Sequence, residues 1–154
     1  MRVLYFAYGS NMLKARLCSR IGSVKAIGRA FLKDKKVLFN KRSVDGSGKA
    51  NLVASLGDVT WGVLYEISVQ DLDTLDKVES GYDRISVQVW DLDGNIVEAV
   101  SYVSTNLTDD PVACKTYKEL VVAGAREHNL PQDYIDYLER LPAKSDRTKS
   151  ETAG

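Results

Sequence analysis

Two short groups of polar residues have types and spacing that could do chemistry. The first is the tetrapeptide Tyr8-Gly9-Ser10-Asn11, which follows an apolar run and precedes a helical pattern. Glycine lets the backbone come close to a ligand, and the first N–H groups of a helix have no intrahelical acceptor. Such a corner suits a carboxylate or a developing oxyanion, to which Ser10 and Asn11 can add side-chain hydrogen bonds. A helix-capping turn without a ligand is the alternative interpretation.

The second group surrounds Glu79 in residues 75–84. Glu79 falls at the predicted C-terminal end of a helix, where the partial negative charge of the helix disfavours a carboxylate. This charge and partial burial would both raise the pKa of Glu79 towards the range of a general base. The alternative is a solvated surface residue, since most glutamates are exposed.

Most signatures of catalysis and cofactor binding are missing from the sequence. The one histidine, His128, lies near a predicted helix end, where we expect a surface residue that complements the helix dipole. The chain has no G-x-S-x-G elbow, no Cys-x-x-Cys or His-x-x-x-His pair, no P-loop and no G-x-G-x-x-G turn. We therefore expect no metal and no cofactor, and an enzyme with this sequence would work with a carboxylate and backbone donors.

Charge and composition indicate a globular protein with a small-molecule site or a protein partner. Lys+Arg and Asp+Glu are equal at 21 each, so net charge draws the 154-residue chain to neither nucleic acid nor membrane, although a neutral total can hide a local patch. No stretch approaches the ~20 apolar residues of a membrane span, and the N-terminal apolar run is too short for a signal peptide. Cys18 and Cys114 indicate no disulfide framework. We expect a cytoplasmic protein.

Hydrophobic patterning predicts strands in the first two thirds of the chain. The predicted strands are residues 3–7, two strands within 24–40 around a charged turn at 33–36, residues 50–56 and 59–67, and a hairpin around the turn at 92–95. Gly62, inside one of these strands, predicts a bulge or the close approach of another group.

Four helices are predicted, and two of them fall in the last third of the chain. The two earlier ones are a short helix capped by Asn11 and one over residues 71–79 with a capping-box start at Ser68. The two later ones are a helix with Pro111 in its first turn and a helix that starts at Pro131. This order favours an α+β fold with a mixed or mostly antiparallel sheet that could close into a barrel. Residues 1–142 then form one domain, and residues 143–154 a polar tail with too little apolar surface to fold.

Three segments, in order along the chain, resemble the γ-glutamylcyclotransferase family. They are "YFAYGSNM", "WGVLYEI" leading into "LDTLDKVESGYDR", and "GAREHNLPQDYIDYLERL", so the similarity runs from about residue 3 to residue 141. The resemblance implies a small mixed or antiparallel β-barrel flanked by helices. It also implies conversion of a γ-glutamyl amide or peptide to 5-oxoproline and a free amine. The family's signature loop corresponds to residues 8–11, and its catalytic glutamate to Glu79.

The resemblance adds three candidate substrate-binding residues, which are Asn51, Tyr82 and Tyr117. The first two follow from position only, and Tyr117 is also compatible with a core role. The sequence departs from the family at two positions. Ser80 stands where the family usually has glycine, which leaves the shape of the local turn open. Leu107 stands where some members have a tyrosine near the active site, which leaves the departing amine open.

The late helical stretch resembles the glutathione-cycle branch of the family more than the γ-glutamylamine branch. Two other functions stay open: removal of a γ-glutamyl group from an amine or biosynthetic intermediate, and non-catalytic binding of a small molecule by the same fold. The signature loop could bind either the oxyanion or the α-carboxylate of the substrate. We expect a γ-glutamyl small molecule as the partner, and a homodimer is left open.

Overall fold

The computed structural model describes residues 1–146. The elements in chain order are β1 (Arg2–Ala7), a 3₁₀ turn (Ser10–Met12), α1 (Lys14–Ile21), β2 (Lys25–Arg42), β3 (Gly48–Ser68), α2 (Val69–Val78), β4 (Asp83–Asp91), β5 (Ile96–Val103), β6 (Ala113–Cys114), α3 (Lys115–Glu127), α4 (Gln132–Arg140) and β7 (Ala143–Lys144).

Five strands close a barrel in the order β1-β3-β2-β4-β5. Neighbouring strands pair antiparallel, except that β1 and β5 close the barrel through a parallel pairing of Tyr5 with Val100. This closed, mixed barrel and the four α-helices of residues 1–146 confirm the predicted α+β class.

The two long strands β2 and β3 replace four short strands predicted from the sequence, namely two within residues 24–40 and those at 50–56 and 59–67. The predicted turn in the charged stretch is wrong, because β2 continues through it in the same direction. Asp34 adopts a positive φ of 61°, and the pairing with β3 shifts register between Lys33 and Lys35. The Asp34 carboxylate accepts a hydrogen bond of 2.9 Å from the backbone N–H of Gly57 on the partner strand. A bulge therefore absorbs the extra residues while the ladder resumes on both sides.

The start of α2 agrees with the capping-box prediction, since Ser68 Oγ accepts a hydrogen bond of 3.0 Å from the backbone N–H of Asp71. The start of α3 does not agree with its prediction. Pro111 lies before the helix, because the chain first forms β6, which pairs in parallel with β7. β7 falls in the predicted polar tail, and residues 147–154 of that tail lie outside the described residues.

Gly62 allows β1 to pack closely on β3. A Cβ at this position would lie 2.4 Å from the carbonyl oxygen of Ala7 and 2.7 Å from the ring of Phe6. The predicted close approach is thus confirmed, and any side chain here would push away the strand that leads into residues 8–11. Buried side chains of the barrel and helices form one apolar cluster, which includes Phe6, Phe39, Val63, Tyr65, Ile67, Leu75, Val121 and Leu138.

Both cysteines, Cys18 and Cys114, are free thiols. Among residues 1–146, no helix has the length and apolarity needed to cross a bilayer.

Candidate active site

A cavity of about 150 Å³ lies between the loop after β1, the end of α2 and the paired strands β2 and β3. We call residues 8–11 the signature loop. Seven of the eight site residues predicted from the sequence line this cavity, namely Tyr8, Gly9, Ser10, Asn11, Glu79, Tyr82 and Tyr117. The fold therefore brings together segments that lie far apart in the sequence.

Glu79 faces the signature loop from the C-terminal end of α2. Only 13% of its side chain is exposed, and its Oε1 accepts a hydrogen bond of 2.8 Å from Asn11 Nδ2. Arg20 forms an ion pair with the same oxygen at 3.4 Å. Burial raises the pKa of Glu79, and the Arg20 charge and the Asn11 hydrogen bond oppose part of that rise. This partly desolvated carboxyl group has the environment of a general base.

Asn11 does not cap a helix, contrary to the prediction. The 3₁₀ turn intervenes, so Leu13 occupies the N-cap position of α1, and Oε2 of Glu127 accepts a hydrogen bond of 2.9 Å from the first N–H of that helix, at Lys14. The buried Asn11 amide instead donates to Glu79 and, at 3.1 Å, to the hydroxyl of Tyr5. Its Oδ1 accepts a hydrogen bond of 3.4 Å from Arg20. Asn11 thus positions the carboxyl group from the opposite side of the cavity.

Gly9 packs the signature loop against β3 and α3. A Cβ at Gly9 would lie 3.2 Å from the Cβ of Ala50 and 3.3 Å from the hydroxyl of Tyr117. These separations are tighter than ordinary van der Waals contact, so a larger residue would push the loop out of place. The N–H groups that begin the 3₁₀ turn have no intrahelical acceptor and can serve a ligand.

Two hydrogen bonds fix the side chains on either side of Gly9. The hydroxyl of Tyr8 donates to the carbonyl oxygen of Tyr102 at 2.5 Å, which ties the loop to the end of β5. Ser10 Oγ accepts a hydrogen bond of 2.7 Å from Arg16 Nε. The loop is therefore held in place by the barrel and by α1 before any ligand arrives.

Tyr82 and Tyr117 contact the backbone of Ala50 as well as the cavity. The Tyr82 hydroxyl donates to the Ala50 carbonyl at 2.7 Å, whereas the Tyr117 hydroxyl accepts from the Ala50 N–H at 3.0 Å. Because Tyr117 accepts that bond, its own proton can be donated to a ligand. Burial raises the pKa of Tyr117 to about 12, so the hydroxyl stays neutral at physiological pH. Both tyrosines therefore hold β3 at the cavity wall.

Asn51 does not line the cavity, although the sequence comparison with the family suggested it. Its Nδ2 donates to the carbonyl oxygen of Ser104 and its Oδ1 accepts from the Ser104 N–H, both at 3.0 Å. The amide is thus used to tie β3 to the chain that follows β5. The two family departures differ in place: Ser80 lines the cavity, whereas Leu107 does not.

His128 is not the surface residue predicted from its place at the end of α3. Its side chain is only 14% exposed, and Nε2 lies 3.0 Å from the Tyr65 hydroxyl and 2.9 Å from Oε2 of Glu127. The edge-to-face contact with the Tyr65 ring explains this burial. His128 is not among the residues that line the cavity.

Sequence reasoning missed four cations that line the cavity, which are Arg16, Arg20, Lys41 and Lys49. Glu79 is the only acidic residue of the described part of the chain that lines it. The neutral total charge of the sequence therefore hides a strongly positive local patch. The spacing of Arg16 and Arg20 on one face of a helix directly after the signature loop could have signalled the first pair.

Comparisons with known proteins identify the family of this chain. A model of the AIG2-like family matches residues 59–138. Human γ-glutamylcyclotransferase is 35% identical over 147 residues, covering 90% of this chain and 78% of the human protein, and the mouse protein is 34% identical with the same coverage. A solved structure of a γ-glutamyl cyclotransferase superposes with a TM-score of 0.88 at 30% identity, covering 99% of this chain and 97% of that one. The chain therefore belongs to the γ-glutamylcyclotransferase family of enzymes.

Proposed function

We propose that this protein converts a γ-glutamyl amino acid or peptide into 5-oxoproline and a free amine. The observation that supports this most strongly is the shared cavity of Glu79 and the signature loop, in which Asn11 donates to the Glu79 carboxyl group at 2.8 Å. The resemblance of the late helices to the glutathione-cycle branch supports a role in glutathione metabolism, and we propose that the reaction takes place in the cytoplasm.

The nucleophile in this reaction is the α-amine of the substrate, which attacks the γ-carbonyl carbon and closes a five-membered lactam. The protein therefore needs no nucleophile of its own. Holding two reacting groups in the correct geometry contributes up to about 7–11 kcal/mol in well-oriented intramolecular reactions. The walls of the cavity supply this effect by keeping the glutamyl chain folded.

Glu79 acts first as a general base and then as a general acid. An α-ammonium group with a pKa of about 7.7–8.0 must lose a proton before it can attack, and a carboxylate with a raised pKa is a better base for it. The Glu79 carboxylate takes that proton, and the free amine attacks the γ-carbonyl carbon. As the new C–N bond forms, the attacking nitrogen loses a second proton to solvent and becomes the lactam nitrogen. Glu79 then gives its proton to the leaving nitrogen as the original C–N bond breaks, so that the carboxylate is regenerated.

The signature loop and Arg16 bind the two oxygen-rich groups of the folded substrate. Arg16 uses Nε on Ser10, so its two Nη groups can hold the α-carboxylate as a bidentate pair. This leaves the N–H groups at Gly9 and Ser10 for the oxyanion of the tetrahedral intermediate. Losing one such donor typically costs a factor of roughly 10²–10³ in rate.

A panel of donors tests this function with the purified full chain and no added metal or nucleotide. We expect 5-oxoproline from γ-Glu-Ala and from glutathione. The α-N-acetylated form of γ-Glu-Ala serves as the matched control, because its blocked amine cannot cyclise. Release of 5-oxoproline from none of the donors, or release of glutamate by hydrolysis instead, would contradict the proposal.

A further inference from the structure

Two lysines face each other across the paired strands β2 and β3. Lys41 and Lys49 are direct partners in the antiparallel register, and both line the cavity. Like charges directly opposite each other in a sheet are destabilising. No carboxylate within residues 1–146 forms an ion pair with either lysine. The carboxylate that favours the charged form of Lys49 most is that of Asp45, whose Oδ1 accepts hydrogen bonds from the N–H and hydroxyl of Ser47.

The aromatic walls hold both ammonium groups at the cavity. Lys41 Nζ lies 5.1 Å from the centre of the Tyr82 ring, and Lys49 Nζ lies 4.2 Å from the centre of the Tyr117 ring. Burial lowers the pKa of Lys49, because desolvation disfavours the charged ammonium, and the Asp45 charge opposes part of that fall. A Cβ at Gly81 would lie 3.1 Å from Lys41 Nζ, so this ammonium sits beside the turn that follows Glu79.

A β-bulge sets this pairing. The register of β2 against β3 shifts between Leu38 and Lys41, and the shift brings Lys41 opposite Lys49. Bulges are frequent next to active sites, where they re-aim a side chain. The like-charged pair is thus a product of local backbone irregularity rather than of the regular alternation of the strand.

The net positive charge of the side chains that line the cavity is larger than the net negative charge of a γ-glutamyl donor whose leaving amino acid is neutral. Four cations and the Glu79 carboxylate line it, a net charge of +3 within the described residues. A γ-glutamyl donor with a neutral amino acid as leaving group has two carboxylates and one ammonium, a net charge of −1. Arg20 already pairs with Glu79, and Arg16 is assigned to the α-carboxylate. Lys41 and Lys49 are therefore available to bind the leaving amine. Because they carry two positive charges, they match a leaving amine that carries two carboxylates.

We infer that the Lys41–Lys49 pair selects donors whose leaving amine carries two carboxylates, which makes γ-glutamyl dipeptides that end in an acidic amino acid the preferred substrate class. This inference rests on the proposed function. It identifies the leaving group, whereas the chemistry at Glu79 is the same for any γ-glutamyl donor.

Two donors of nearly identical shape test the inference. In γ-Glu-Glu the leaving amino acid has a side-chain carboxylate, and in γ-Glu-Gln a carboxamide replaces it. We expect kcat/KM for 5-oxoproline release to be about tenfold higher with γ-Glu-Glu, the size of one charge-assisted hydrogen bond. Equal values for the two donors would overturn the inference and leave the proposed function intact. Absence of 5-oxoproline from both donors would also overturn the inference, and it would reject the proposed function only if γ-Glu-Ala and glutathione released none either.

Variants then assign the preference to the two lysines. Lys41→Gln, Lys49→Gln and the double variant should lower the γ-Glu-Glu to γ-Glu-Gln ratio of kcat/KM stepwise towards one. Lys25→Gln is the matched control, because it removes the same charge from an exposed position of the same strand. A ratio in the double variant that equals the wild-type ratio, measured on protein with a wild-type thermal unfolding profile, would overturn the assignment.

Discussion

The wall of the cavity formed by the signature loop and the end of α2 differs from the wall formed by β2 and β3 in how its charges are partnered. In the first wall, which we call the loop wall, the Glu79 carboxyl group has Asn11 and Arg20 as partners. In the second, the strand wall, Lys41 and Lys49 face each other as like charges. The difference suggests two tasks: the loop wall is organised for the proton transfers, and the strand wall is organised to bind an anion supplied by the substrate.

The largest effect is expected from replacing the carboxyl group of the loop wall. Glu79→Gln should lower kcat by about 10²–10⁴-fold, because the amide has nearly the same shape but cannot take a proton. KM should change little. The measurement is 5-oxoproline release at saturating donor, with Glu119→Gln as the control, since Glu119 is exposed on α3. A Glu79→Gln variant with wild-type kcat would contradict the role of this residue.

A smaller effect is expected from removing the partner of that carboxyl group. Asn11→Ala removes a hydrogen bond to a charged group, a loss of about 1.5–3 kcal/mol that corresponds to roughly a ten- to hundredfold fall in kcat/KM. The same hydrogen bond lowers the pKa of Glu79, so its loss raises that pKa. Because the base must be ionised, activity should decline at a higher pH on acidification than in the wild type.

The pH profile of kcat/KM checks this second prediction. Asn106→Ala serves as the control, because Asn106 is exposed and does not line the cavity. An Asn11→Ala profile with the wild-type acid limb would show that this amide does not act on the base.

Crowding at Gly9 tests how closely the two walls must approach. Gly9→Ala places a methyl group 3.2 Å from the Cβ of Ala50 and 3.3 Å from the Tyr117 hydroxyl, and overpacking of this kind costs about 1–3 kcal/mol of stability. Denaturant unfolding measures the loss. In a Tyr117→Phe background the loss should be smaller, because one of the two contacts is removed. An equal loss in both backgrounds would mean that the hydroxyl contact is not a source of the cost.

The smallest expected effect concerns the strand wall without substrate. Lys49→Gln loses the contact with the Tyr117 ring in any background, but it removes the repulsion with Lys41 only where Lys41 is present. The change in the free energy of unfolding should therefore be more favourable by about 0.2–1 kcal/mol in the wild type than in a Lys41→Gln background. Raised salt should shrink this difference, because ions screen the repulsion. An equal effect of Lys49→Gln in the two backgrounds at low salt would show that the two lysines do not repel each other and would weaken the comparison between the walls.

The loop wall could be predicted because strand periodicity and helix capping depend on residues that are close together in the sequence. The strand β1 ends at the signature loop, and Ser68 caps α2 so that Glu79 falls at its C-terminal end, as the sequence pattern indicates. These features depend on neighbours in the chain, which periodicity and capping preferences describe. The family resemblance then associated the loop with Glu79 and with a barrel, and both are present in the structure.

The strand wall could not be predicted in the same way. The pairing of Lys41 with Lys49 depends on the shift of register between Leu38 and Lys41, and a shift of one residue changes which side chains share a face. Asn11 shows the same limit within the loop wall. Its local pattern is that of a helix cap, but a tertiary hydrogen bond to Glu79 determines its orientation. Asn51 was misplaced because position alone cannot show that its amide is engaged by Ser104.

The most direct test of the central claim compares two titrations of the wild-type protein. One is the NMR titration of the Glu79 side-chain carboxyl carbon, and the other is the acid limb of kcat/KM for 5-oxoproline release. Both midpoints should coincide and lie above the ordinary pKa of a glutamate, because burial disfavours the charged form. A Glu79 carboxyl group that titrates at its ordinary pKa, while the acid limb falls at a different pH, would show that Glu79 is not the base.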